Sequence, residues 1–358
     1  MASHAAITHI DESMLEPLAL GCGMLGASGG GSVQNGLLAA QQAIRTHGPV
    51  RIVQLSDLDD DALVMPCASL GAPLVADEIL GDGDEGGRLV QLVTERERRA
   101  PAALMPSEIG GINGLLPVTW AARTGLPLAD ADGMGRAFSR MVQVTMELAG
   151  VALGPCHITD HRGHSTTLQH HEHDWLERAA LAIASASGGL VSTTEYLMTA
   201  AVARNAAIIG SISRAITIGR ALAGQDPVAT LLRSTNAEKL VTGIISELLW
   251  RNAPRSGSCV IEGIGEDHGR TVRVELQDDM LIATEHGRVL AAVPDVITGL
   301  ATVSARPITT ENLRLGQHLS LLVLPADSAW LSEAGLKLAG PSSFGYQLQH
   351  PRAREANA

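Results

Sequence analysis

Two aspartates two residues apart, Asp130 and Asp132, close a short apolar run and lead into Gly133-Met134-Gly135-Arg136. On an extended chain, side chains at i and i+2 face the same side. Two ionised carboxylates ~6 Å apart repel by roughly 3 kcal/mol at an effective dielectric of ~20. A bound cation, the Arg136 guanidinium or a retained proton must offset that repulsion. Gly133 and Gly135 leave backbone N–H groups bare where the next helix is expected to start, which makes a cradle for an anion or ligand. A second group lies upstream, where Glu108 is followed by Gly110, Gly111, Asn113 and Gly114. Glycines at this density suit tight turns and close approach of backbone to a ligand. Aspartate and glycine are also ordinary turn residues. The pairing of the two stretches is what favours a site over chain punctuation.

The elements that must position these residues follow from hydrophobic spacing. Ala102 to Met105 is a short apolar run that reads as the end of a buried strand. Leu115 to Arg123 has helical spacing, with Gly125 in the C-cap place. Leu126 to Ala129 reads as a second short strand. Acid, base, guanidinium and bare amides are therefore expected at the C-terminal end of a strand, where α/β sheets place their sites.

Before this region, Ser13 to Leu20 reads as a short helix leading into a glycine-dense loop over residues 21–36. That loop contains Gly30 and Gly31, which are candidate ligand contacts. It lacks the lysine of a P-loop, so ATP hydrolysis is not indicated, and its GCGMLG spacing resembles GxGxxG without a clear strand before it, a weak match to a dinucleotide fingerprint. Strands alternate with helices through residue 135, which predicts an α/β domain with a largely parallel sheet. Phe138 to Leu148 reads as a helix. A hairpin around Asp160 to Gly163 follows, inside a run holding His157, His161, His164, His170, His171 and His173. That density suggests metal, although no HExxH is present. His157 and His161, with Asp130 and Asp132, are the candidate ligands.

Glu172 to Ser187 and Ser192 to Ala207 read as helices, with more helix to Leu232. From Leu240 the pattern becomes period-two runs between Gly, Pro and Asp turns. The expected division is an α/β domain over 1–170, a helical segment over 171–235, a β-rich domain over 236–350 and a frayed tail over 351–358, α+β overall. The polar end from Gln347 onward is expected to fray.

Composition narrows the function. The 358 residues are 45% hydrophobic and 18% charged, so the chain is globular. Aromatics are only 2%, which leaves an aliphatic core. A net charge of −12 argues against nucleic-acid and anionic-membrane partners. Four scattered cysteines without a CxxC pair fit a reducing cytoplasm. No apolar stretch reaches the ~20 residues of a membrane span.

Several motifs together resemble the S-methyl thiohydantoin desulfurase family: GCGMLGASGGGS, GAPLVADE, EIGGING, LPLADADGMGRAF, SRAITIGRAL, VPDVITGL and PSSFGY. The likeness covers nearly the whole chain. It implies a two-domain enzyme in which water displaces methanethiol from an S-methyl thiohydantoin to leave a hydantoin, by a water activated on a divalent metal, zinc. Attack on a C=N carbon needs a base or a metal. Under that reading Asp130 or Asp132 binds the metal or orients the water, and Glu108 shuttles the proton to the leaving thiolate or the ring nitrogen. Arg136 and the amides near Gly110, Gly111 and Gly133 hold the developing negative charge. Asn113 offers donor and acceptor to an imide edge. Two other functions compete: a non-catalytic small-molecule-binding partner of a hydantoinase- or oxoprolinase-type enzyme, and a nucleotide-dependent enzyme using the 21–36 loop. A homo-oligomer is compatible with the aliphatic helices from Val191 to Leu222, which also serve as core.

Overall fold

The computed structural model describes residues 7–26, 30–31, 33–72, 75, 78, 81–169, 172–252 and 255–351. The N-terminal part is a mixed sheet with helices packed on it. Its strands, in chain order, are β1 (His9–Ile10), β2 (Val50–Val53), β3 (Leu63–Gly71), β4 (Ala103–Pro106), β5 (Leu128–Ala129), β6 (Ala131–Asp132), β7 (Cys156–Thr159), β8 (Ser165–Leu168), β9 (Leu190–Thr194), β10 (Met198–Thr199) and β11 (Ile208–Ile209). Among the described residues the sheet order is β1-β2-β5-β4-β3-β9-β7-β8, with β10 also pairing with β3. The central strands β2, β5, β4 and β3 are parallel, as the alternating pattern requires. Antiparallel strands extend them on both sides. The hairpin expected around Asp160 to Gly163 is β7–β8.

Three local expectations change. First, the Glu12–Leu25 helix runs straight through Gly21 and Gly23, so GCGMLG is helix rather than loop. The glycines let this helix lie backbone to backbone on the Ser211–Leu222 helix. A Cβ on Gly21 would stand 1.8 Å from the Ala215 carbonyl oxygen, and one on Gly219 would stand 1.6 Å from that of Pro17. Second, the helix expected over Phe138 to Leu148 shrinks to Thr145–Leu148, because residues 133–144 turn back repeatedly along the C-terminal domain. Third, the helix expected from Ser192 begins only at Ala200, and Leu190–Thr194 is strand β9. The run Val191, Ser192, Thr193, Thr194, three of them β-branched, fits a pleated surface better than a helix. The expected helical segment over 171–235 thus contributes strands to the N-terminal sheet as well as helices.

The C-terminal part is an antiparallel sheet. Its strands are β12 (Glu238–Asn252), β13 (Arg255–Gly263), β14 (Thr271–Leu276), β15 (Met280–Glu285), β16 (Arg288–Ala292), β17 (Val296–Ala301), β18 (Pro307–Ile308) and β19 (His318–Leu324). Among the described residues they are ordered β16-β15-β14-β13-β12-β19-β17-β18. Alternate residues such as Val272, Val274 and Leu276 point into its core. The end of the chain does not fray from Gln347: His350 is buried against Ala292 and Asp295. Residues 352–358 of the expected tail lie outside the described residues. No helix among the described residues is long and apolar enough to cross a membrane, and the four cysteines are free and buried.

Candidate functional site

The carboxyl ends of β3 and β4 open onto a cleft of about 200 Å³ between the two sheets. Its walls come from Gly30 and Gly31, from Ser69 to Ala72 at the end of β3, and from Glu108 and Asn113 after β4. The far rim is formed by Asp278 and Glu311 of the C-terminal domain. This is where a parallel sheet is expected to hold a ligand.

Glu108 is the chemically distinctive group in that cleft. Its Oε1 accepts a hydrogen bond from Asn113 Nδ2, and its Oε2 is buried with no hydrogen-bond partner. Asn113 is itself locked: its Oδ1 accepts from the Ser69 N–H at 2.6 Å, and its Nδ2 donates to the Ser69 carbonyl at 3.1 Å. The Ser69 backbone therefore fixes which end of the amide faces Glu108. Asn113 positions the acid, and its donor and acceptor are already engaged, so it does not offer them to an imide edge. Burial holds the Glu108 carboxyl well above its ordinary range, at about 8, even though the Asn113 bond favours the ionised form. At neutral pH Glu108 carries a proton.

Asp130 and Asp132 do not share a face. The chain changes partners between them: β5 pairs with β2 and β4, while β6 pairs with β11. The Asp130 carboxylate caps the Ser211–Leu222 helix, accepting from Ser213 N–H at 3.0 Å and from Ser213 Oγ at 2.6 Å. An anion there complements the positive end of the helix dipole. Asp132 turns the other way. Its Oδ2 accepts from the N–H groups of Ile109 at 2.8 Å, Met134 at 3.1 Å and Gly135 at 2.8 Å. It ties the Glu108 loop to the Gly133 turn. Burial raises the Asp132 carboxyl to about 6, while those three amides pull it down.

Arg136 also leaves the cleft. Its guanidinium is 1% exposed and reaches the C-terminal domain, donating to the carbonyls of Pro294 at 2.8 Å and Asp295 at 2.9 Å. It pairs with Asp279 at 2.6 Å. Burial outweighs that partner and raises Asp279 to about 7. Trp330 Nε1 donates to the Met134 carbonyl at 2.8 Å, and the Trp330 ring meets Phe138 edge-on at 4.8 Å. The C-terminal domain thus holds the 133–138 turn from behind.

The glycines divide in the same way. Gly30 and Gly31 line the cleft. Gly110, Gly111 and Gly133 serve close packing instead. A Cβ on Gly110 would lie 2.4 Å from the Ala137 nitrogen, and one on Gly133 would lie 2.7 Å from Met146 Cε. Gly111 has φ +67°, and its Cβ would stand 2.0 Å from the Gly30 carbonyl oxygen. The Gly133 N–H already donates to the Ser107 carbonyl.

The four expected metal ligands do not fit a zinc centre. Asp130 and Asp132 diverge, each bound by backbone N–H groups. His157 lies in β7, where its Nδ1 is 2.8 Å from Thr167 Oγ1. His161 accepts from Arg162 Nε at the hairpin tip. Among the described residues no three His, Cys, Asp or Glu side chains are gathered to hold a metal. His170 and His171 lie outside the described residues.

One residue of this region carries no expected role. Glu195 follows β9, on the opposite side of β3 from Glu108, and is 4% exposed. It lines a side recess of about 60 Å³ together with Glu108. The β-branched run before it was the available signal, hidden by the expectation of a helix.

Residues 13–170 match the S-Me-THD-like N-terminal domain, and residues 171–352 match the S-Me-THD-like C-terminal domain. The chain belongs to the S-Me-THD-like family. A protein from Chromobacterium violaceum solved by X-ray crystallography is similar in fold, with a TM-score of 0.77 and 21% identity. The similarity covers 96% of this chain and 99% of that one. No curated protein matches the chain. In this S-Me-THD-like protein the join between the two matched domains falls just after the β7–β8 hairpin, and the cleft takes walls from both.

Proposed function

We propose that this protein is a hydrolase-type enzyme that replaces sulfur by oxygen on a hydantoin-like ring, with Glu108 as its proton donor. The observation that carries this reading is a buried carboxyl on the wall of a cleft, with one oxygen locked by Asn113 and burial favouring its protonated form. Membership of the S-Me-THD-like family supports the ring chemistry.

A flat five-membered ring fits between Gly30–Gly31 and the end of β3. Glu108 donates its proton to the ring nitrogen beside the carbon that bears sulfur, which makes that carbon more electrophilic. Water adds there and the carbon–sulfur bond breaks. Oxygen remains as the new carbonyl. Of water's two protons, one restores Glu108 and the other leaves on sulfur as methanethiol. The residues named as zinc ligands do not converge, so each step is assigned to this chain's own acids.

The test is incubation with an S-methyl thiohydantoin and with a plain hydantoin, with and without chelator, scored for free thiol and for ring opening. Thiol release without opening of the plain ring is expected. Ring opening, or no thiol from the S-methyl compound, would overturn the proposal.

A further inference from the structure

Glu108 and Glu195 emerge on either side of one strand. Glu108 follows β4 and Glu195 follows β9, and both β4 and β9 pair with β3. Their carboxyl groups reach the same recess of about 60 Å³, which branches from the cleft at Ser69, Leu70 and Phe138. Apart from these acids the recess combines the apolar side chains of Leu70, Met134, Met141 and Val144 with the polar Arg140, Thr193 and three serines. The apolar part of that lining is polarisable, and methionine and aromatic side chains pack well against a thioether. By the ~30 Å³ that a water takes in the liquid, the volume suits roughly two heavy atoms.

Glu195 is held as a working group would be. The Cys156 thiol lies 3.7 Å from its Oε2. Burial raises its carboxyl to about 7, while the Thr193 hydroxyl favours the ionised form. The next residue, Tyr196, is buried and sits at φ +54°, a left-handed conformation that bulky residues rarely adopt. It is over-determined by its N–H bond to the Leu153 carbonyl at 3.0 Å and by its hydroxyl bond to Glu147 at 3.0 Å. Such strain collects where side-chain placement matters.

We infer that this recess receives the small S-alkyl substituent and that Glu195 is a second catalytic residue, the acid that protonates the departing sulfur. The inference rests on the desulfurase reading of the cleft. As the carbon–sulfur bond breaks, its electron pair goes to sulfur and sulfur takes the Glu195 proton. One proton of the attacking water then restores Glu195, and the other restores Glu108, whose own proton stays on the ring nitrogen.

Leaving-group dependence isolates this role. S-methyl thiohydantoins and their Se-methyl selenium counterparts are compared, because the two substituents are nearly equal in size, while methaneselenolate is much the weaker base and needs little help to leave. Glu195→Gln should lose about 100-fold in kcat with the S-methyl compound, the low end of what a positioned acid supplies. It should lose less than about tenfold with the selenium compound. Glu108→Gln should lose equally with both. Glu195→Asp keeps an acid in the recess, repeats the selective loss in weaker form and carries the test if the Gln variant does not fold. Equal losses for the Glu195 variants on both compounds, or no loss, would overturn the role of Glu195 and leave the desulfurase reading standing. No thiol from the one compound and no selenol from the other with the wild-type protein would overturn both.

Discussion

Replacing Glu108 by Gln should make the protein more stable at high pH while stripping it of activity. Burial lifts the Glu108 carboxyl from 4.5 to about 8. A group whose folded value is raised stabilises fully below its unfolded value, and that stability is lost as pH rises through the folded one. Each pH unit between the two values is worth about 1.4 kcal/mol. The whole interval therefore costs the wild-type protein about 5 kcal/mol relative to a chain with no acid at this position. Glutamine keeps an oxygen to accept from Asn113 and carries no charge at any pH. Asp132, Glu195 and Asp279 are also raised by burial, but they are present in both proteins, and Asp132 and Asp279 enter the difference only through their smaller charge coupling to Glu108. Urea denaturation followed by tryptophan fluorescence, run at intervals from about pH 5 to about pH 8, measures that difference. The stability of Glu108→Gln minus that of wild type should climb by about 1.4 kcal/mol per pH unit. Parallel stability curves would mean that Glu108 titrates as an exposed acid, and the reasoning from its burial would be refuted.

Three further outcomes follow from the packing. Arg136→Met leaves Asp279 buried and unpaired and should destabilise by about 3–5 kcal/mol in denaturant titration, whereas Arg136→Met with Asp279→Leu should recover much of that loss; a single variant within about 1 kcal/mol of wild type would show that the clasp between the domains is idle. Asp130→Ala removes the cap on Ser213 and should cost about 1–2 kcal/mol in the same titration, with residual turnover in the folded fraction; complete loss of turnover in a fully folded protein would return Asp130 to the chemistry. Gly111→Ala forces a side chain onto the Gly30 carbonyl at positive φ and should destabilise by more than about 2 kcal/mol, while Gly87→Ala, with nothing near its Cβ, should stabilise the Glu85–Glu97 helix by about 0.5–1 kcal/mol on thermal melting; equal effects would contradict the close packing of the cleft wall.

The parts of this protein that were readable in the sequence were those set by local pattern. Apolar runs bounded by glycine located β4, β5 and the Leu116–Thr124 helix, and period-two alternation located the C-terminal sheet. Glu108 was readable because an acid placed between a buried strand and two glycines has few bland uses. Asp130 and Asp132 misled because the i, i+2 rule assumes one continuous strand. The backbone instead changes pairing partner at Asp130, a tertiary event with no local signature. Arg136 misled for a similar reason: Asp279, its partner, lies 143 residues away in the chain. The glycines of GCGMLG look the same in sequence whether they free a loop or admit a neighbouring helix. Only the Ser211–Leu222 helix, packed against them, decides between the two. Glu195 was overlooked because β9 is short and its alternation was read with the helix that follows.

The most direct test of Glu108 as the proton donor is the pH profile of kcat for thiol release from an S-methyl thiohydantoin, in the wild-type protein and in Glu108→Gln. If the protonated acids drive the reaction, the wild-type rate declines above neutrality, starting as Glu195 ionises at about 7 and completing as pH passes about 8, and the Gln variant loses about 100-fold or more. A rate that keeps rising through alkaline pH, or a Gln variant that turns over as fast as wild type, would contradict it.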